Sequence, residues 1–192
     1  MRDTIESVDQ AAVREAVRRI VEAIGDDPDR EGLADTPRRM AEMYAELFSG
    51  LNRDPREVLS TGFQESHREM VILKNIPFYS LCEHHFLPFH GQAHVGYVPE
   101  GRIVGASKIA RAVDIFARRP QLQERLTGQI ADCIMDGLAP DGVAVVIEAE
   151  HLCMTMRGVQ KPGTVLVTSA IRGGFRRRAV TRAEFLALVQ SK

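Results

Sequence analysis

Apolar positions follow a helical spacing early in the chain and a strand spacing later. Val13, Val17, Ile20 and Ile24 fall on one helical face, and Gly25 is placed to stop that helix. Asp26-Asp27-Pro28-Asp29 reads as a connector. Thr36-Pro37 suits a helix start, with Thr as the cap and Pro at the first helical position. Met40, Tyr44, Leu47 and Phe48 then predict a second amphipathic helix, closed near Gly50. Residues 51–69 are polar and turn-rich and predict a linker or a mobile loop. After Glu69, residues 70–76 and 93–98 read as strands, with Gly91 and Pro99 as punctuation. Residues 107–117 carry Ile109, Val113 and Phe116 at core spacing. A further helix, opened by Pro120, runs through Leu122, Leu126, Ile130 and Ile134 to about Leu138. Asp141-Gly142 is a turn, 143–150 and 164–171 are β-rich, and a short helix over 181–189 ends the chain. This order predicts an N-terminal helical region and linker over 1–69. It predicts an α+β domain over 70–192, with four antiparallel strands and helices on one face of the sheet.

Composition narrows the class. The chain has 192 residues, 44 % of them hydrophobic and 27 % charged, which excludes a disordered, collagen-like or disulfide-stapled chain. The apolar runs are too short for a bilayer-spanning helix, so no membrane partner is expected. Residues 1–7 are acidic and lack the apolar stretch of a secretory signal. Three cysteines suit a reducing compartment, and a cytoplasmic location is expected. The net charge is −1, but residues 1–60 hold 9 basic and 14 acidic side chains, whereas 61–192 hold 16 and 12. The later part therefore suits an anion. Of the 25 basic residues 21 are Arg, whose forks suit phosphate, unless they reflect a composition bias. With no Trp and three Tyr there is no basic–aromatic interleaving, which argues against a nucleic-acid partner.

The densest chemical cluster is Cys82-Glu83-His84-His85. Cys82 and His85 have the spacing of two ligands of one metal. Cys133 sits in a helix beside Ile130 and Ile134 and reads as core, whereas Cys153, in His151-Leu152-Cys153, follows a strand. The expected set is therefore zinc on Cys82, His85 and Cys153, with one position open for water as in a catalytic site. A fourth ligand from His84 or His151 would make the site structural. Otherwise both histidines are acid–base candidates. His67, His90 and His94 read as surface or strand residues. In Gly105-Ala106-Ser107-Lys108-Ile109-Ala110-Arg111 a glycine precedes a helix start, with Ser at the cap and basic residues on the first turn. That suits a phosphate, or simply a capped helix with a basic face. Glu124 and Gln123 can match the N1–H and 2-amino group of a guanine, or form a polar helix face. Arg157 is a further anion contact, and Arg176-Arg177-Arg178 reads as a solvated charge run.

Four segments in register are similar to the GTP cyclohydrolase I family. They are Cys82-Glu83-His84-His85-Phe86, Gly105-Ala106-Ser107-Lys108, the stretch from Arg119-Pro120-Gln121 to Arg125-Leu126-Thr127, and His151-Leu152-Cys153-Met154-Thr155-Met156-Arg157-Gly158. The resemblance covers about residues 35–190. It implies a tunnelling (T-fold) domain behind an N-terminal helical pair, and a toroidal homodecamer with active sites at subunit interfaces. It also implies conversion of GTP and water to 7,8-dihydroneopterin triphosphate and formate. By this resemblance the zinc ligands fall on Cys82, His85 and Cys153, and the catalytic histidines on His84 and His151. The guanine anchor falls on Glu124, with Gln123 beside it. Triphosphate and ribose contacts fall on Ser107, Lys108, Arg111 and Arg157, and Arg39 is expected to reach a phosphate from a neighbouring subunit. The implied chemistry is zinc-assisted hydrolysis at C8. His151 protonates the imidazole nitrogen, and Ser107 and His84 handle protons in the ribose rearrangement. Ala106 and the segment 169–175 depart from the family's usual residues. Two rivals stand beside this reading. One is another zinc-dependent purine hydrolase such as a deaminase, whose Pro-Cys-x-x-Cys is missing here. The other is a non-catalytic zinc-stabilised paralogue.

Overall fold

A computed structural model describes residues 8–191, so the acidic stretch 1–7 lies outside the described residues. Helix α1 (Gln10–Ala23) starts at Asp9, whose carboxylate accepts the Ala12 N–H at 2.9 Å. It packs on α2 (Thr36–Leu47) and buries Val17 and Val21, with Ala41 on the facing helix. Ile20 and Ile24, expected on the buried face, are exposed instead. Asp35 rather than Thr36 occupies the cap position of α2, with Pro37 in the first turn.

Residues 51–69 do more than link. They form the one-turn helix α3 (Arg56–Leu59) and the short strand β1 (Phe63–Gln64). Leu59 is 0 % exposed and belongs to the main core. Strands β2 (Val71–Cys82) and β3 (Pro88–Val98) form a long hairpin, β2 running well past its predicted end and β3 starting well before its predicted start. Gly91 lies inside β3, not at its edge. Strand β4 (Arg102–Ile103) pairs with β1. Helix α4 (Ala106–Ala117) is followed by the two-residue strand β5 (Pro120–Gln121), where the sequence predicts the start of a helix. Helix α5 (Gln123–Leu138), strand β6 (Gly142–His151), the one-turn helix α6 (Leu152–Thr155) and strand β7 (Val165–Gly173) follow. The turn α7 (Gly174–Arg177) and helix α8 (Ala179–Gln190) complete the order.

The architecture is α+β, but the sheet is five-stranded and mixed, in the order β5-β2-β3-β6-β7. The four expected strands are antiparallel. The extra strand, β5, pairs parallel to β2 through Leu81↔Pro120 and Cys82↔Gln121. Helices cover both faces, not one. Val143, Val145 and Ile147 face α4 and α5, joining Ile109, Val113, Leu126, Ile130 and Ile134. The alternate residues Ala144 and Val146 pack with Phe175 and Phe185 of α7 and α8. A strand buried on both sides has no polar alternation, as the run Val143–Ile147 shows. Gly96 lets α8 lie close, since a Cβ there would stand 2.7 Å from the Phe185 ring. In β2 a bulge between Leu73 and Ile76 puts Asn75 at φ 58°, and its N–H is donated to Nδ1 of the buried His94 at 3.2 Å.

No helix among the described residues is long and apolar enough to cross a membrane. The burial of Leu59 gives a direct expectation. Leu59→Ala should lower unfolding free energy by about 2–5 kcal/mol, read from the urea midpoint. A change below about 0.5 kcal/mol would restore the picture of a loose linker.

Candidate metal centre and active site

Three strand ends meet at one edge of the sheet. β2 closes on Cys82, β3 opens at Pro88, and the ladder pairs Phe89 with His151 at the end of β6. The turn between β2 and β3 is tied by Cys82 N–H to Leu87 O at 3.0 Å and Phe86 N–H to Cys82 O at 2.9 Å. Glu83 N–H is donated to Gln121 O at 3.0 Å, which joins the turn to β5. Phe86 sits at φ 51°, and its ring rests on Tyr44 of α2 (6.4 Å) and on Phe48 at the end of that helix (5.5 Å). The side chains of Arg125 and Glu83 add a two-pronged ion pair at 2.5 and 3.1 Å, which holds the Glu83 carboxyl below its usual range.

Strand β6 runs straight into α6, so Cys153 lands beside the hairpin. Ligand atoms of Cys82, His85 and Cys153 lie within 4.8 Å of one another, and Cys82 Sγ is 3.9 Å from His85 Nδ1. A tetrahedral zinc with ordinary bond lengths sets a sulfur–nitrogen separation of about 3.6 Å, so two thiols and an imidazole here fit that ion. Burial and the neighbouring Cys82 push the Cys153 thiol up. Two thiols sharing one site resist ionising together, and a divalent cation removes that resistance. His85 Nε2 accepts from Arg157 Nη1 at 3.3 Å, which in a neutral ring leaves the proton on Nδ1. A metal held through His85 Nδ1 would require the ring proton on Nε2, which could then no longer accept from Arg157. Cys133, read from its helix as core, is buried there, with burial pushing its thiol up to about 11.

His151 is half-buried, stacked on Phe89 with ring centroids 4.6 Å apart and planes at 3°. Burial holds it below the usual imidazole range, while Glu124 pulls the other way. Its Nε2 lies 2.8 Å from Gln123 Oε1. Gln123, expected beside a guanine, is 1 % exposed and uses its amide internally. Its Nε2 donates to Ile147 O (3.1 Å), Leu166 O (2.9 Å) and Thr168 Oγ1 (3.1 Å). Thr127 donates to Gln123 O at 2.7 Å and stands 2.6 Å from the Thr168 hydroxyl.

The other expected residues are placed as follows. His84 is exposed and meets the His85 ring edge-on at 6.2 Å. Glu124, exposed on the first turn of α5, lines a groove of about 440 Å³ with Gly128, Ser169, Arg172, Arg176 and Arg182. Gly105, not Ser107, caps α4. Ser107 and Arg111 are exposed and Lys108 is half-buried. Arg39 pairs with Asp35 at 3.5 Å on α2. Among the described residues no hydrogen bond or ion pair joins Ser107, Lys108, Arg111 or Arg39 to the Cys82–His85–Cys153 cluster. The arginine run is not simply solvated, since Arg177 and Arg178 both pair with Asp141.

Sequence reading missed Phe89, Thr127, Thr168 and the Glu83–Arg125 pair. One signal was available for the network: Gln123 shares the stripe of Leu126, Thr127, Ile130 and Ile134, so its amide had to be buried and satisfied.

The family model for GTP cyclohydrolase I matches residues 13–190. The chain belongs to the GTP cyclohydrolase I family. It is 62 % identical over 186 residues to the GTP cyclohydrolase 1 of Dehalococcoides mccartyi, covering 96 % of this chain and 98 % of that one. It is 59 % identical over 185 residues to the GTP cyclohydrolase 1 of Brevibacillus brevis, covering 96 % and 99 %. A crystal structure of an archaeosine synthase QueF-like protein in the apo form aligns with 55 % of this chain and 94 % of its own, at 21 % identity and a TM-score of 0.46. Cys82, His85 and Cys153, all within the matched residues, are the group that converges here. Cys82→Ala, His85→Ala and Cys153→Ala should each lose the bound metal, measured as metal per chain by elemental analysis. Full retention in any of the three would remove that residue from the ligand set.

Proposed function

We propose that this chain converts GTP and water to 7,8-dihydroneopterin triphosphate and formate. The convergence of Cys82, His85 and Cys153 beside the buried His151, in a member of this family, carries the reading. With it go a tunnelling (T-fold) domain over 70–192 behind an N-terminal region over 1–69, a homodecamer, and a cytoplasmic setting. The metal is zinc, because the donor set of two thiols and one imidazole is soft and leaves one position open.

Zinc held by these three residues supplies a Lewis acid that brings the pKa of water toward neutrality. The protein's own groups do the rest. The Glu124 carboxylate accepts from the N1–H and 2-amino group of the guanine and fixes the base. Ser107, Lys108, Arg111, Arg157 and Arg39 hold the ribose and triphosphate, the last from a neighbouring subunit. Remote binding energy of this kind aligns C8 for attack. When water adds at C8 and a ring C–N bond breaks, His151 takes up the proton that the water releases and gives it to the departing imidazole nitrogen. A second water releases formate. His84 and Ser107 move the protons of the ribose rearrangement. Closure of the new ring expels one water, so the sum is one water consumed per formate.

The purified protein should release formate and build dihydropterin absorbance in equal amounts from GTP, and a zinc chelator should stop both. A folded, zinc-loaded protein without turnover would leave a non-catalytic paralogue. Glu124→Ala should lower kcat/KM by at least about 100-fold, mostly through KM. His151→Ala should lower kcat by about 100- to 10,000-fold. Full turnover in either variant would strip that residue of its role.

A further inference from the structure

The proton positions around His151 are decided by its neighbours. Ile147 O and Leu166 O can only accept, so the Gln123 amide must turn its Nε2 toward them. The reverse orientation would set three oxygens against one another. Thr127 spends its proton on Gln123 O, so Thr168 donates to Thr127 and accepts from Gln123. Gln123 Oε1 is thereby left facing His151 and can only accept. Both Gln123 amide hydrogens are engaged and the side chain is 1 % exposed, so no donor remains for a bound base.

We propose that Gln123 is a positioning residue that fixes the His151 ring in its Nε2–H form, leaving Nδ1 as the nitrogen that exchanges a proton with the substrate. This rests on the GTP-hydrolysing role proposed above and replaces a guanine contact for Gln123. Phe89, stacked flat on the ring, removes the remaining freedom of tilt. Among the described residues His151 Nδ1 has no hydrogen-bond partner. The bond to Gln123 holds the other nitrogen as a donor, as the outer partners of ligating or catalytic histidines do.

The test uses the full chain with zinc bound and its histidine rings labelled with 15N. Magic-angle-spinning spectra of the wild type, assigned with His151→Asn, should show His151 as the Nε2–H tautomer. In Gln123→Met, which keeps the volume and loses the acceptor, that signature should give way to the other tautomer or a mixture. In Gln123→Glu, whose acid can accept from His151 and donate to Leu166 O, it should persist. In steady-state kinetics Gln123→Met should lower kcat about 10- to 100-fold with KM for GTP within about twofold, and Gln123→Glu should recover part of kcat. A raised KM at unchanged kcat would make Gln123 a guanine contact and overturn the proposal. An Nδ1–H tautomer in the wild type, or an unchanged tautomer in Gln123→Met, would also overturn it. If Gln123→Met fails to fold, the wild-type spectrum and Gln123→Glu still decide. Absence of GTP turnover in the wild type would instead refute the functional reading, whatever the tautomer.

Discussion

The site depends on the antiparallel ladder between β3 and β6. It runs unbroken from Phe89↔His151 to Val98↔Gly142, with the β2–β3 hairpin on its other side. This register alone decides that the end of β6 arrives at the hairpin turn. A slip by one residue would turn every side chain of β6 to the opposite face. Val143, Val145 and Ile147 would leave the main core, and His151 would leave the face of Phe89. Because β6 is buried on both sides, by α4 and α5 on one and α7 and α8 on the other, such a slip would disrupt two apolar clusters together. Hydrophobic burial far from the chemistry therefore sets the distance between Cys82 and Cys153.

The first turn of α5 works as the second reference point. Three consecutive side chains there leave in three directions. Gln123 points inward to β6 and β7, Glu124 stays exposed at the groove, and Arg125 reaches the hairpin at Glu83. The inward branch is a closed set of hydrogen bonds in a dry setting, where an unmet donor would be costly and each partner is thereby held in place. The outward ion pair is partly solvated, so its strength is modest and its value is geometric.

Much of this was legible in the chain. The helices α1, α2, α4, α5 and α8 and the four main strands followed from periodicity, because each element buries a stripe or a face. The triad of Cys82, His85 and Cys153 was legible because soft ligands are few and Cys133 carried a core pattern around it. Other features depended on long-range pairing, which spacing does not encode. The strand β5 exists only because Cys82 and Leu81 offer it a ladder. The burial of Leu59 depends on α4 and α5 lying over α3. The exposure of Ile20 and Ile24 reflects which face of α1 meets α2. The burial of the Gln123 amide was hidden for a similar reason. Its amide matches a guanine as well as it matches two strand carbonyls, and the fold supplies the carbonyls.

On the function proposed above, this strand register builds one metal site from two thiolates and one imidazole, with a position left open. X-ray absorption at the zinc edge of the purified protein tests it most directly. Two sulfurs at about 2.3 Å, one imidazole nitrogen at about 2.0 Å and one further light atom from solvent are expected. A shell with two imidazoles and no solvent atom, or with fewer than two sulfurs, would contradict it.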